Sequence, residues 1–191
     1  MTQPAVKAVV IGASAGAVQA LLTILPVLPL DYALPVLVVV HVPPDRDNAL
    51  VPLFQSKCRL PVKEAEDKEA LVGGVVYFAP SDYHLLVETE GALALSMDEP
   101  VNYSRPAIDV LFESAADVFE TALVGIILTG ANHDGAAGLK AVVAAGGAAI
   151  VEDPAEAYAD AMPRAALQAC PDATVMNLNA ITSYLSTLGT A

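Results

Sequence analysis

Residues 8–22 read AVVIGASAGAVQALL, and this stretch decides the fold. Ala8 to Ile11 is a short apolar run rich in β-branched residues, which reads as a buried strand. Gly12-Ala13-Ser14-Ala15-Gly16 follows, and its small residues allow a tight turn. The Ala/Leu-rich segment behind it predicts a helix over Ala15 to Leu25. Strand, tight turn and helix in direct succession open a βα unit.

The wider stretch from Ala8 to Leu30 carries no charge and is long enough to span a bilayer. Its interior argues for another reading. Gly12, Ser14, Gly16 and Gln19 interrupt it, Pro26 and Pro29 punctuate its end, and no basic cluster follows to anchor a flank. No stable membrane insertion is expected, and a cytoplasmic location is.

Downstream the pattern repeats. PVLVVV (Pro35 to Val40), VVYFA (Val75 to Ala79), VGIILT (Val124 to Thr129) and AAIV (Ala148 to Val151) are continuous apolar runs suited to a parallel sheet covered on both faces. Helices are expected at roughly Asp47 to Ser56, Ile108 to Phe119, Gly135 to Ala145 and Pro163 to Ala169. The order predicts a doubly wound, mostly parallel α/β domain, Rossmann-like and three-layered. HLLVE, a turn around Gly91 and then ALALS predict one antiparallel hairpin. The charge-dense piece from Lys63 to Glu69 reads as a solvated loop or helix face, and Thr187 to Ala191 as a frayed end.

With 191 residues, 55% of them hydrophobic, the chain has the material for one core, so residues 1–191 are expected to form a single domain. The 22 acidic residues against 9 basic ones leave a net charge of -13, which repels phosphate backbones and makes nucleic acid a poor partner. Cys58 and Cys170 stand far apart, in neither a disulfide framework nor a zinc spacing. His41, His84 and His133 show no metal-ligand spacing, and no metal or other cofactor is expected. His84 has the place of a structural residue, where the turn around Ser81 enters the hairpin.

Gly12 to Gly16 is also a G-x-S-x-G pattern that presents Ser14 between a strand and a helix. Taken alone, it fits a glycine-rich structural turn or a phosphate-binding loop equally well. The full G-x-G-x-x-G fingerprint is missing, however, and His41 closes the second strand where a dinucleotide site would place an acid. Ser14, His41 and Asp134 each lie just past an apolar strand, and in a parallel sheet those ends share one edge. A hydroxyl needs a base, and an imidazole needs a carboxylate to fix its tautomer. Each role is filled once, although His41 alone also fits a structural histidine and Asp134 alone a helix cap.

With those residues in the order Ser, His, Asp, the chain resembles the catalytic domain of the CheB chemotaxis protein-glutamate methylesterases. The α/β-hydrolases place their acid before the histidine. The segments that carry the resemblance are VVIGASAGAVQAL, VVVHVPP, GGVVYFAPSDYHLLV, NYSRPAIDVLFESAA, GIILTGANHDGAAGL and AGGAAIVEDPAEAYADAMPRAAL. The resemblance implies a serine carboxylic ester hydrolase with Ser14 as nucleophile, His41 as general base and Asp134 as orienting acid. It places Arg105, and Met162 with Pro163, near the substrate. Main-chain N–H groups of Ala15, Gly130 and Ala131 are candidates for the oxyanion hole.

The implied substrate is a methylated glutamate on a methyl-accepting receptor or another methylated protein, with glutamine deamidation as a companion activity. The chain departs from the family's usual pattern at Ala17, at Ala107, and at Ala131-Asn132, which replace a Met-Gly pair. These changes alter pocket shape and hydrogen bonding. A receiver domain that would precede the catalytic domain is not expected upstream of Val6, so control is expected from a separate receiver or regulatory protein, or else the domain is constitutively open. The alternative reading is a catalytically degenerate CheB-like docking or sensory module.

Overall fold

The computed structural model describes residues 5–41 and 49–188. β1 (Ala8–Ala13) lies at the middle of a seven-stranded sheet with β2 (Val36–Val40) on one side and β7 (Leu123–Ile127) on the other. Beyond β2 come β4 (Val76–Phe78) and β3 (Val62–Glu64); beyond β7 come β8 (Ala148–Glu152) and β9 (Thr174–Met176). Every pair is parallel. β5 (His84–Val87) and β6 (Leu93–Ser96) form the separate antiparallel hairpin.

Successive strand residues face opposite ways, so one strand feeds two cores. Val9, Ile11 and Ala13 of β1 enter one core together with Leu21 and Ile24 of α1 (Ala17–Ile24), Phe54 of α2 (Leu50–Gln55), and Ile181 and Leu185 of α6 (Leu178–Leu188). Ala8 and Val10 enter the other. There they meet Leu111 and Phe112 of α3 (Ile108–Phe119), Leu139 and Val142 of α4 (Ala136–Ala144), and Met162 and Ala166 of α5 (Ala161–Ala169). The result is the doubly wound three-layer architecture expected from the sequence.

Several boundaries differ. The sheet has two strands more than the apolar runs suggested, both three-residue edges. β3 takes up Lys63 and Glu64 from the piece read as loop or helix, because Val62 anchors it against Val76 while the charged side chains remain at the rim. α6 was not foreseen, and it includes Thr187 and Leu188 from the segment read as frayed. α1 starts two residues later than expected, at Ala17, because Ser14 to Gly16 are spent on the turn. Of the expected second helix, Asp47 and Asn48 lie outside the described residues.

The uncharged segment from Ala8 to Leu30 is divided between β1, the turn, α1 and a short 3-10 turn at Leu25–Val27. Among the described residues no helix is long and apolar enough to cross a membrane. The chain runs from β1 to β2 on one side, and reaches β7 on the other only later. That reversal opens a crevice at the carboxyl ends of the central strands.

Candidate active site

Three strand ends meet at this crevice. The Ser14 N–H donates to the Thr129 carbonyl (2.9 Å), the Leu128 N–H to that of Gly12 (2.9 Å), and the His41 N–H to that of Ala13 (3.3 Å), so the ends of β1, β2 and β7 are tied together. Ala13 and Val40 are register partners, which makes Ser14 and His41 the next residues on adjacent strands. Neighbouring strands run about 4.8 Å apart. Gly16, at φ 84, turns the chain from the strand into α1, and Tyr158 packs where a Cβ would stand.

His41 Nε2 lies 2.7 Å from Asp134 Oδ2. Asp134 is fully buried, and its carboxylate accepts three further hydrogen bonds: Ile108 N–H at 2.6 Å, Asp109 N–H at 3.1 Å and Asn102 Nδ2 at 2.9 Å. Burial alone pushes its carboxyl up. The hydrogen bonds from His41, Ile108, Asn102 and Asp109 outweigh this and hold it below the ordinary carboxylate range. An ionised Asp134 can only accept, so in the neutral ring of His41 it is Nε2 that carries the proton. Nδ1 then carries the lone pair, and Asn132 Nδ2 lies 3.0 Å from it. Ser14 Oγ has no hydrogen bond among the described residues, so the histidine–acid contact is made and a serine–histidine one is not.

α3 reaches Asp134 because Gly12 lets it. A Cβ on Gly12 would stand 2.4 Å from Ile108 Cγ2, so only a bare backbone in β1 allows the first turn of α3 so close. Asn102, in a left-handed conformation (φ 51), donates to Asp109 Oδ2 (2.7 Å) as well as to Asp134. Burial raises the Asp109 carboxyl, and the nearby Asp134 charge adds to it against the Gly138 N–H bond. Glu152, buried at the end of β8, accepts the Thr129 N–H at 2.7 Å, and burial raises its carboxyl too. Neither Asn102 nor Glu152 was singled out from sequence.

The other expected residues are placed as follows. Arg105 is committed: its guanidinium donates to Asp82 Oδ1 (2.7 and 3.0 Å) and to the Met97 and Asp98 carbonyls (3.1 and 3.0 Å). It still lines a cavity of about 210 Å³ together with His41, Asp82, Tyr103 and Ser104, and Tyr103 is fully exposed. The Gly130 N–H donates to the Ala159 carbonyl (3.0 Å), so it is not open to an oxyanion. The N–H groups of Ala15 and Ala131 make no hydrogen bond among the described residues. Met162 is buried against Gly130, whose carbonyl accepts its N–H at 2.9 Å. Ala107 caps α3 and donates its N–H to His84 Nδ1 (3.2 Å), while His84 Nε2 faces the Glu99 carbonyl (3.1 Å), the structural role expected of that histidine. Among the described residues no three His, Cys, Asp or Glu side chains are grouped to hold a metal ion.

A doubly wound sheet with a hydrogen-bonded histidine–acid pair at its carboxyl edge, beside a serine-bearing strand-to-helix turn, places the protein in the hydrolase class. The model of the CheB methylesterase family matches residues 9–185, and the chain belongs to that family. A Leptospira interrogans protein provisionally named protein-glutamate methylesterase/protein-glutamine glutaminase is 46% identical over 175 residues, 92% of this chain and 91% of that one. The protein-glutamate methylesterase/protein-glutamine glutaminase of Symbiobacterium thermophilum is 41% identical over 162 residues, covering 85% of this chain and 45% of the longer relative. The crystal structure of the Thermotoga maritima CheB methylesterase catalytic domain superposes with a TM-score of 0.91 at 34% identity, over 96% of this chain and 99% of that one.

Proposed function

We propose that residues 1–191 act as one catalytic domain that hydrolyses methyl-esterified glutamates on methyl-accepting receptors through Ser14, His41 and Asp134. The observation that carries this reading is the 2.7 Å contact between His41 Nε2 and a buried, ionised Asp134, one strand away from the Ser14 turn. Ser14 Oγ attacks the ester carbonyl as its proton passes to His41 Nδ1. The oxyanion lies against the unused N–H groups of Ala15 and Ala131. Protonated His41, stabilised by Asp134, then gives the proton to the departing methoxide, releasing methanol and leaving a glutamyl ester on Ser14. Water attacks that ester with His41 as base, restoring Ser14 and the glutamate.

Glutamine deamidation follows the same route with ammonia as the leaving group, in keeping with the double names of the relatives. The protein works in the cytoplasm, on the signalling part of a receptor. The test is covalent labelling by a serine-reactive fluorophosphonate alongside methanol release from methylated receptor. Both are expected to vanish in Ser14→Ala. Labelling that persists in that variant removes Ser14 as nucleophile.

A further inference from the structure

Asp134 holds one nitrogen of His41, and the other is not open to the crevice. The orientation of the Asn132 amide is fixed by its own neighbour. The Asp134 N–H donates to Asn132 Oδ1 at 2.9 Å, which leaves the NH2 end to face His41 Nδ1 at 3.0 Å. An amide NH2 donates and has no lone pair to accept with. Nδ1, the nitrogen that has to receive the Ser14 proton, therefore already accepts a hydrogen bond. Ser14 Oγ is meanwhile without a partner among the described residues.

We propose that Asn132 is a latch on the base: in the resting enzyme its amide occupies the Nδ1 lone pair of His41, and attack begins only once Ser14 displaces it. The inference rests on the assignment of His41 as the base for Ser14. As the bond from Oγ to the substrate carbonyl forms, the hydroxyl proton moves to Nδ1. Only the Nδ2–H···Nδ1 hydrogen bond is lost, and Asn132 neither gains nor gives a proton. Asn132 is a positioning residue acting through His41, and it sets how readily the serine is deployed against poor substrates.

The latch is read from the fluorophosphonate labelling rate of Ser14 in the full chain, comparing wild type, Asn132→Gly and Asn132→Asp. Removing one neutral hydrogen bond that competes with the reaction corresponds to about 3- to 10-fold in rate. Asn132→Gly is therefore expected to label faster by about that factor. Asn132→Asp keeps an oxygen for the Asp134 N–H but presents an acceptor to Nδ1, which then has to carry a proton, so labelling is expected to slow. A scaffolding role would slow both variants, and slower or unchanged labelling in Asn132→Gly overturns the latch.

¹⁵N spectra of histidine-labelled wild type test the latch without any activity and without any substitution. His41 is expected to show a bare Nδ1 and a protonated Nε2, and a protonated Nδ1 in the resting neutral ring overturns the latch. The two ideas fail separately. Labelling that survives Ser14→Ala defeats the catalytic assignment, whereas Ser14-dependent labelling indifferent to Asn132 defeats the latch alone.

Discussion

The main-chain N–H of Ile108 meets Asp134 Oδ2 at 2.6 Å, so the acid of the site also caps a helix that begins 26 residues before it. Ala107, at the N-cap position of α3, offers no side-chain oxygen. Asp134 supplies one from the loop after β7, and its second oxygen takes the Asp109 N–H. A carboxylate at a helix N-terminus is favoured by the free N–H groups and by the dipole. The placement of the His41 ring and the start of α3 thus depend on one side chain.

Asp134→Asn tests both dependences. Methanol release is expected to fall by about 10⁴-fold, because the imidazole loses the charge that fixes its tautomer. Stability is expected to fall by about 1–3 kcal/mol, because an amide cannot satisfy both N–H groups and His41 as well. The folded-state pKa of Asp134 is lowered, so its contribution to stability is full above the ordinary carboxylate range and is lost as pH falls through the folded value. Melting curves taken from pH 6 to pH 3 should therefore decline less steeply in the variant. An equal decline would show that Asp134 contributes nothing to acid unfolding.

Asn102→Ala removes the donor shared by two buried carboxylates, Asp109 and Asp134. Their repulsion is then unrelieved, and a loss of about 1–3 kcal/mol in denaturant titration is expected. Asp134 also loses one of its restraints. Misplacing it should slow methanol release by roughly 10- to 100-fold, and full activity would show that Asn102 does not position the acid.

Gly12→Ala inserts a methyl group against Ile108 and pushes the start of α3 away from Asp134. Overpacking of this kind costs about 1–3 kcal/mol, and activity should fall with it. Gly91→Ala is the control. Gly91 has φ 73 but nothing within 4 Å, so strain alone should lower its stability, by about 1 kcal/mol, with turnover intact. Comparing kcat/KM with unfolding midpoints separates the two variants, and an active Gly12→Ala would argue against helix approach as the requirement.

Glu152→Gln is expected to stabilise. The folded-state pKa of Glu152 is raised by burial, so the ionised group costs stability above its folded value, a cost absent below the ordinary glutamate range. The amide oxygen can still accept the Thr129 N–H. The Tm should rise by about 2–4 °C near pH 8, the equivalent of about 1 kcal/mol, with the gain fading toward pH 4. A gain that stays constant with pH would assign it to packing instead.

The five inner strands were legible because each is a continuous apolar run, as a strand buried on both faces requires. β3 and β9 were not, since three residues at a sheet edge leave Lys63 and Thr174 with polar side chains that resemble a loop. The signal for α6 was Ile181 and Leu185, an i,i+4 pair diluted by Thr182, Ser183 and Ser186. Ser14 and His41 stood out because each directly follows an apolar strand, and Asp134 because it lies in the loop that leaves a third. Asn102 could not, because its reach to Asp109 and Asp134 depends on a left-handed loop conformation. Arg105 illustrates the opposite case: its position was expected, but its commitment to Asp82 was not readable from spacing.

The three chemical groups hang from β1, β2 and β7, neighbours at the heart of the ladder, each strand gripped on both flanks. The spacing of Ser14 and His41 is consequently inherited from peptide-to-peptide pairing, the stiffest ruler the fold possesses, while Asp134 is brought to them by the loop after β7 and the first turn of α3. The outer ribbons can lengthen, fray or exchange sequence without moving the working edge. Sequence change at the margins of this molecule can therefore leave the placement of Ser14 beside His41 untouched.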